Sequence, residues 1–572
     1  MENTRPLWVQ SDGTLLLDER HPEYAQARDF LREVAILQKR PGFWHTYRLT
    51  PVTLWNAAAA GWTSERVSER LTAMSRCPLP ASVEQCVRMQ MDRYGQIRLV
   101  NEGGELVLLT DSLELMERIG RLESISACFV GGFEGTRAAI RPEARGWIKR
   151  ELASAGYPVK DEAGFHEGQP LSVSLRSQTE DGRPVELRDY QREAVDALLG
   201  DSAGSGVVVL PCGAGKTWVG MAALARLQCE TLILTPNGVS VAQWISELLR
   251  HTTLTESEVG EYTGQSKNVR PVTVATYQVL TYRSSKSEEY PHLELFVNRD
   301  WGLIVYDEVH LLPAPVFRMT ADIQATRRLG LTATLVREDG REEDAFALIG
   351  PKRYELPWKT MEDRGWIAEA ECTEVRVPME SAAAADYVAA PKSRRNRIAG
   401  ENPRKAEVVK ALLQRHSGVP TIVIGQYLDQ LHGLAGELSL PLITGEMPLR
   451  GRQELFERFK RGELGVLLVS KVANFAVDLP DAAIAIQVSG SFGSRQEEAQ
   501  RLGRILRPKK NGAKARFYSL VSEGTDEVEF SRNRGRFLLE QGYPYRIDYW
   551  NAERVDAAAE EVVGEGRRAH ER

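Results

Sequence analysis

Two short stretches carry residue types at spacings that suit phosphate chemistry. The first, VVVLPCGAGKTW, runs from Val207 to Trp218. Its apolar β-branched start reads as a strand buried on both faces, and KTWVGMAALARL reads as a helix. In the loop between them, Gly213 and Gly215 let the backbone turn its N–H groups inward, beneath a helix N-terminus of positive partial charge. Leu210, Pro211, Cys212, Gly213, Ala214 and Gly215 would line this cradle. Lys216 would reach the β- and γ-phosphates of a nucleotide, and the Thr217 hydroxyl would ligate magnesium. The common loop G-x-x-x-x-G-K-[ST] asks for glycine where Leu210 stands. A glycine-rich turn with a surface lysine is the plainer alternative.

The second stretch is WGLIVYDEVH, Trp301 to His310. Asp307 emerges from an apolar run, placed to bind magnesium through water, and Glu308 beside it to polarise an attacking water. A lone Asp-Glu pair is usually solvated. At the C-terminal end of a strand, about ninety residues after the lysine, it shares one sheet edge with the cradle. Upstream, LRDYQREAV offers Arg188 and Gln191. A glutamine amide there matches the donor and acceptor edge of adenine, or is simply a helix-surface residue.

The elements that must position these groups follow from a wider pass. With 572 residues the chain exceeds one core. Hydrophobic content of 42%, charge of 27% and a net charge of -6 describe an ordinary globular protein. Any polynucleotide would need a local basic groove. No apolar run is long enough for a bilayer, and MENTRPLWVQSDGTLLLDER lacks the pattern of a secretion signal. The six cysteines (Cys77, Cys86, Cys128, Cys212, Cys229 and Cys372) form no C-x-x-C pair, which argues against a metal or disulfide framework and for a reducing cytosol.

TPVTLWNAAAAG reads as a helix, with Thr50 as N-cap, Pro51 in the first turn and Gly61 as its stop. RPEARGWIKRELASAGYP reads as another, closed by Gly156 and Pro158. SQTEDGRP follows as a linker. From Leu187, GVVVLP, TLILTP, VTVATY, LIVYDE and RRLGLTAT alternate with helical segments. After a pause between about 360 and 400, TIVIGQ, PLITGE, GVLLVSK, AIAIQVS and ARFYSL resume the rhythm. This is an α/β pattern of two parallel-sheet domains in tandem, preceded by α+β N-terminal domains. The divisions predicted are 1–125, 126–182, 183–360, a short basic insertion at 361–402, 403–548, and a flexible tail at 549–572.

AQRLGRILRP places Arg504 and Arg507 one helical turn apart, spaced to stabilise charge on a transferring γ-phosphate. With the preceding PCGAGKT, DEVH and the triplet Thr332, Ala333, Thr334, it resembles motif six of superfamily-two helicases. LPCGAGKT, GLTATLVRED, SKVANFAVDLPDA and GSRQEEAQRLGRILRP together resemble the XPB (xeroderma pigmentosum group B) family of DNA helicases in its shorter bacterial form. LRDYQ and FLLEQGYPY do so too. The resemblance covers residues 185 to 548, and more weakly HTYRLTPVTLWNAAAAG. It accounts for Leu210, because the family's motif one reads L-P-C-G-A-G-K.

The resemblance implies two RecA-like lobes and an ATP-dependent motor moving 3′ to 5′ along DNA, with ATP and Mg²⁺ as cofactors. Lys216, Thr217, Asp307 and Glu308 would contact ATP from the first lobe, and Gln500, Arg504 and Arg507 from the second. Gln191 would read adenine, and His310 would couple nucleotide to DNA. Arg337, Glu338 and Asp339 match the family's RED element for strand separation, or form a solvated turn. Asp478 matches motif five, whereas Phe475 and Ala476 replace its Thr-Ser.

A motor that ignores sequence holds phosphates with backbone amides and small hydroxyls. Thr235 with Pro236, Thr276 with Tyr277, Thr444 with Gly445, and Ser470 with Lys471 stand at strand ends as candidates. Lys392, Arg394, Arg395, Arg397, Arg404 and Lys405 form a basic cluster, read as a phosphate-binding patch or a solvated linker, and the resemblance implies a short thumb-like insertion there, over 361–402. Phe43, Trp44, His45, Tyr47, Trp55 and Trp62 read as core rather than as a base-stacking surface. The expected function is a DNA helicase in repair. Its alternatives are a double-strand DNA translocase and a scaffold without catalysis. DNA, a nuclease or repair or transcription partner, no membrane, a monomer or weak oligomer and a cytoplasmic, nucleoid-associated location complete the expectation.

Overall fold

The computed structural model of the chain describes residues 5–39, 43–178, 182, 184–200, 204–211, 213–283, 290–296, 299–312, 316, 319–320, 322–324, 326–333, 342–470, 482–490, 514–540, 543 and 545–551. Two units separate, residues 1–210 with 214–356, and residues 357–572 with 211–213.

The first unit begins with β1 (Leu7–Val9), β2 (Thr14–Asp18), β3 (Ile36–Lys39) and β4 (Trp44–Arg48), antiparallel in the order β1-β2-β4-β3. Three helices follow, Pro51–Ala59, Ser64–Met74 and Ala81–Arg93. The first starts at Thr50, whose hydroxyl accepts the Thr53 N–H at 3.2 Å, with Pro51 in the first turn. Tyr47, Trp55 and His45 are buried, as core residues should be, whereas Phe43 lies at the surface with the Arg20 guanidinium 4.8 Å from its ring.

Next come β5 (Ile97–Glu102), β6 (Glu105–Thr110), β7 (Phe129–Glu134), β8 (Arg137–Ile140) and β9 (Val159–Asp161), in the order β7-β8-β6-β5-β9. Ile97, Leu108, Ile140, Ile148 and Val159 share one core. A domain boundary at 125/126 is therefore corrected, because the hairpin β7–β8 completes a sheet begun at Ile97. Its glycines, Gly131, Gly132 and Gly135, hide it from a reading based on apolar runs.

The remainder of the unit is a parallel sheet of β10 (Ser205–Val209), β11 (Thr231–Thr235), β12 (Val259–Tyr262), β13 (Val272–Thr276), β14 (Leu303–Asp307), β15 (Arg327–Thr332) and β16 (Lys352–Glu355), ordered β12-β13-β11-β14-β15-β10-β16. Every pairing is parallel. Three of the five central strands are buried throughout and the other two at all but one end residue, as continuous apolar runs in such sheets require.

The second unit repeats the plan with β17 (Ala370–Val377), β18 (Thr421–Ile424), β19 (Leu442–Ile443), β20 (Val466–Val469), β21 (Ile484–Gln487), β22 (Ala515–Ser522) and β23 (Tyr545–Tyr549), ordered β19-β20-β18-β21-β22-β17-β23 and again parallel. This corrects the thumb-like insertion at 361–402, since β17 is an inner strand of the sheet. Glu374 and Arg376 disguise it as surface chain, yet they form a buried ion pair. The basic cluster is corrected in part. Lys405 is fully buried, with its Nζ 2.8 Å from Glu527 Oε2, and Arg397 pairs with Glu401 and Asp429. Lys392 and Arg394 remain exposed.

Candidate active site

At the C-terminal end of β10, Leu210 is buried and its N–H donates to Thr332 O at 2.9 Å. The position thus joins the cradle strand to the end of β15, work that an apolar residue does as well as glycine. Gly213 and Gly215 have φ of 83° and 78°, left-handed values that favour glycine. A Cβ at Gly215 would stand 2.6 Å from Gln191 Nε2. The helix Lys216–Leu227 then begins.

Gln191 is buried, and its amide is fully engaged. Oε1 accepts the Arg188 N–H at 2.9 Å, and Nε2 donates to Ala214 O at 3.0 Å. Tyr190 donates its hydroxyl to the same carbonyl at 2.7 Å. Both side chains therefore set the shape of the cradle from behind. Tyr190 was not visible as a site residue in the sequence, and its adjacency to Gln191 was the available signal.

Asp307 ends β14 and Glu308 follows it directly. Glu308 has φ 51°, an uncommon conformation for a non-glycine residue and one that gathers at functional sites. Its carboxylate pairs with the Lys216 ammonium. Burial works to raise the Glu308 carboxyl, but Lys216 and then His310 outweigh it and hold the group below its ordinary value. Asp307 goes the other way, pushed up by burial and by the charge of Glu308. The two adjacent acids are thus differentiated by environment.

His310 is buried, with Nδ1 2.7 Å from the Thr332 hydroxyl and 3.5 Å from Glu308 Oε2. Lys216, Glu308, His310 and Thr332 therefore form one connected polar network across the ends of three neighbouring strands. Asp307 is held separately. Trp244 Nε1–H donates to its Oδ2 at 3.0 Å, and the Tyr277 hydroxyl donates to its backbone carbonyl at 2.9 Å. Trp244 too was missed, although an indole on the apolar face of VAQWISELL needs a partner for its N–H.

Most of the side chains expected at strand ends as DNA contacts turn inward. Thr235 and Thr276 are buried. The first hydroxyl donates to Ala275 O at 3.3 Å, and the second accepts the Val279 N–H at 3.2 Å as a helix cap. Tyr277 is buried against Asp307, and Thr444 and Ser470 are buried at their strand ends. Pro236 is half-buried and Gly445 exposed. Cys212, Thr334, Arg337, Glu338, Asp339, Lys471, Phe475, Ala476, Asp478, Gln500, Arg504 and Arg507 lie outside the described residues.

Comparison with known proteins identifies the family. A family model described as ERCC3/RAD25/XPB C-terminal helicase matches residues 361–563. One described as Type III restriction enzyme, res subunit, matches 184–337, and one described as Helicase conserved C-terminal domain matches 7–131. The chain is similar to a DNA 3′-5′ helicase XPB of Kineococcus radiotolerans, 51% identical over 98% of this chain and 99% of the relative. A second relative of that name, from Mycobacterium tuberculosis, is 50% identical over 95% and 97%. A general transcription and DNA repair factor IIH helicase/translocase subunit XPB from Antonospora locustae is 34% identical over 95% and 81%. With such identity along nearly its whole length, and a P-loop and acidic pair at one sheet edge, the chain belongs to the XPB family of DNA 3′-5′ helicases.

Proposed function

We propose that the chain is an ATP-driven motor that moves 3′ to 5′ along DNA and separates its strands, in the service of DNA repair. The observation that carries this reading is the Lys216–Glu308–His310–Thr332 network, which ties the phosphate cradle, the acidic pair and the end of β15 into one device. Before nucleotide enters, Lys216 and Glu308 neutralise one another. The phosphates of the substrate ATP draw Lys216 away and leave Glu308 an uncompensated base. Glu308 then orients the attacking water and accepts its proton as the γ-phosphoryl group passes to the water oxygen and the bond to ADP breaks. His310 transmits the altered charge at Glu308 to Thr332 and so to the end of β15.

Magnesium fits the residues present. Asp307 supplies one half-buried carboxylate, held up in proton affinity by burial and a like charge, and Thr217 supplies a hydroxyl. So sparse a set of oxygens suits an ion carried in largely on phosphates, where it neutralises their charge. Arg504, Arg507 and Gln500 are proposed to serve the same nucleotide. DNA is proposed to run past the strand ends near Pro236 and Gly445, contacted through backbone. A nuclease or a repair or transcription assembly is the proposed partner class, and the cytoplasm the proposed location.

The deciding experiment measures ATP turnover with and without single-stranded DNA, beside strand displacement on duplexes tailed at either end. DNA-stimulated turnover with opening from the 3′ tail is expected. Opening from the 5′ tail alone, or triplex displacement without duplex opening, would replace this reading with a double-strand translocase.

A further inference from the structure

Three elements of the first parallel sheet converge on one indole. The helix Gly238–His251 follows β11 and buries Val241, Trp244, Leu248 and His251 along one face. Trp244 is 2% exposed. On one side its ring lies against the cradle helix, where a Cβ at Gly220 would stand 2.6 Å from it. On the other its Nε1–H reaches Asp307 Oδ2 at 3.0 Å. Tyr277, at the end of the neighbouring β13, fixes the Asp307 backbone through its carbonyl at 2.9 Å.

A carboxylate at a strand end has two torsions free unless something holds them. Here an N–H fixes the side chain, a phenol fixes the main chain, and the close packing at Gly220 fixes the indole relative to the helix that begins with Lys216 and Thr217. The indole's sole polar atom thus meets this one oxygen.

We propose that Trp244, seconded by Tyr277, is a positioning residue that aims Asp307 at a divalent cation and keeps it in register with the cradle helix. This rests on the reading of Asp307 as the magnesium carboxylate. Supporting partners of metal ligands typically contribute 10- to 100-fold to metal affinity or activity. A donor lost behind Asp307 should therefore weaken cation binding while leaving nucleotide binding without metal unchanged.

The test uses the full chain, with W244F, Y277F and D307N beside the parent. Manganese binding in the presence of a non-hydrolysable ATP analogue is followed by electron paramagnetic resonance, and binding of a fluorescent ADP is measured in chelator. W244F is expected to need about 10- to 100-fold more Mn²⁺, with unchanged metal-free nucleotide affinity and with turnover restored by excess metal. Y277F should shift in the same direction by less. If D307N binds Mn²⁺ like the parent, the assignment of Asp307 itself fails, and with it the metal site under the proposed function. If D307N loses the ion but W244F and Y277F hold it as tightly as the parent, only the positioning role is overturned. Thermal melting accompanies each variant. Should W244F unfold from its lost packing, Y277F, which removes a single oxygen, decides alone: weakened Mn²⁺ binding upholds the proposal, and parental binding overturns it.

Discussion

The two parallel sheets have the same plan and different chemistry. Numbered within each sheet, the strand order is 3-4-2-5-6-1-7 in both. In the first sheet, strand one runs into a glycine loop and strand five ends in Asp307 and Glu308. In the second, strand one ends at Val377 before Pro378 and three helices, and strand five ends at Gln487. Each sheet has a lysine that pairs with a glutamate, but to opposite purpose. Lys216 sits at the rim of the glycine loop, half-buried. Lys405 is sealed off, bonded to both Glu527 oxygens at 2.8 and 3.1 Å and to Val488 O at 2.9 Å. One topology thus supports an ion pair beside a glycine loop in one copy and a sealed one in the other, the pair beside the loop being the one proposed to exchange on nucleotide binding.

The sharpest way to break that contrast is to remove the groups themselves. Glu308→Gln should lower ATP turnover by about 10²- to 10⁴-fold while nucleotide still binds, and Lys216→Ala should abolish tight phosphate binding without unfolding the chain. Steady-state ATPase assays and fluorescent-nucleotide titrations check both. Lys405→Ala should do the reverse. It strands Glu527 in the interior and should destabilise the second sheet by about 3–5 kcal/mol, read as an early transition in thermal or denaturant unfolding. Turnover that survives Glu308→Gln would end the assignment of roles, as would a silent Lys405→Ala.

The same contrast explains what the sequence let one read. Strands of the form VVVL, LILT and IVIG were legible because parallel sheets bury both faces, so the run is apolar without alternation. The cradle and acidic pair were legible because their geometry demands particular residues. β17 was not, since a buried Glu374–Arg376 pair looks like solvent-facing chain, and Glu374 is satisfied by Tyr545, 171 residues away, at 2.6 Å. Lys405 was read as part of a surface patch for the same reason, its partner lying 122 residues on. Thr235, Thr276 and Tyr277 were correctly placed at strand ends, but which way a side chain turns there depends on neighbours from other strands. Trp244 was hidden because one apolar-face tryptophan looks like any other until the strand beneath it is known.

The seventh strands differ as well. β16 is bound from outside its sheet by Arg32, 2.9 Å from Glu355, and Glu355 also pairs within the strand with Lys352 at 2.6 Å. β23 leaves Ile547 and Tyr549 exposed. Burial raises the Glu355 carboxyl, but Lys352 and then Arg32 outweigh it and bring it down to about 2. Because the folded value lies below the unfolded one, near 4.3, this group stabilises the fold above that pH. The contribution is lost as pH falls toward 2. The shift corresponds to on the order of 3 kcal/mol. Glu355→Gln should therefore flatten the loss of stability between about pH 4.5 and 2, measured by denaturant unfolding across that range. An unchanged acid limb would mean that these ion pairs add nothing to the stability of this edge.

The smallest contrast lies in the helices that follow strand two of each sheet. Gly238–His251 starts at Asn237, whose Oδ1 accepts the N–H groups of Val239 and Ser240, each at 3.0 Å. Its counterpart, Leu428–Leu438, starts at Tyr427 with no side-chain cap, and a Cβ at Gly400 would stand 2.3 Å from the Tyr427 ring, so contact replaces hydrogen bonding there. Asn237→Ala should then cost about 1 kcal/mol, seen as a modest fall in the melting temperature. That first turn also anchors the helix carrying Trp244, so fraying it should raise the metal requirement for turnover slightly while leaving the metal-free nucleotide affinity alone. A loss of stability with no change in metal dependence would show that the cap serves the helix and not the carboxylate. The two second-strand helices would then differ in how they begin but not in what they do.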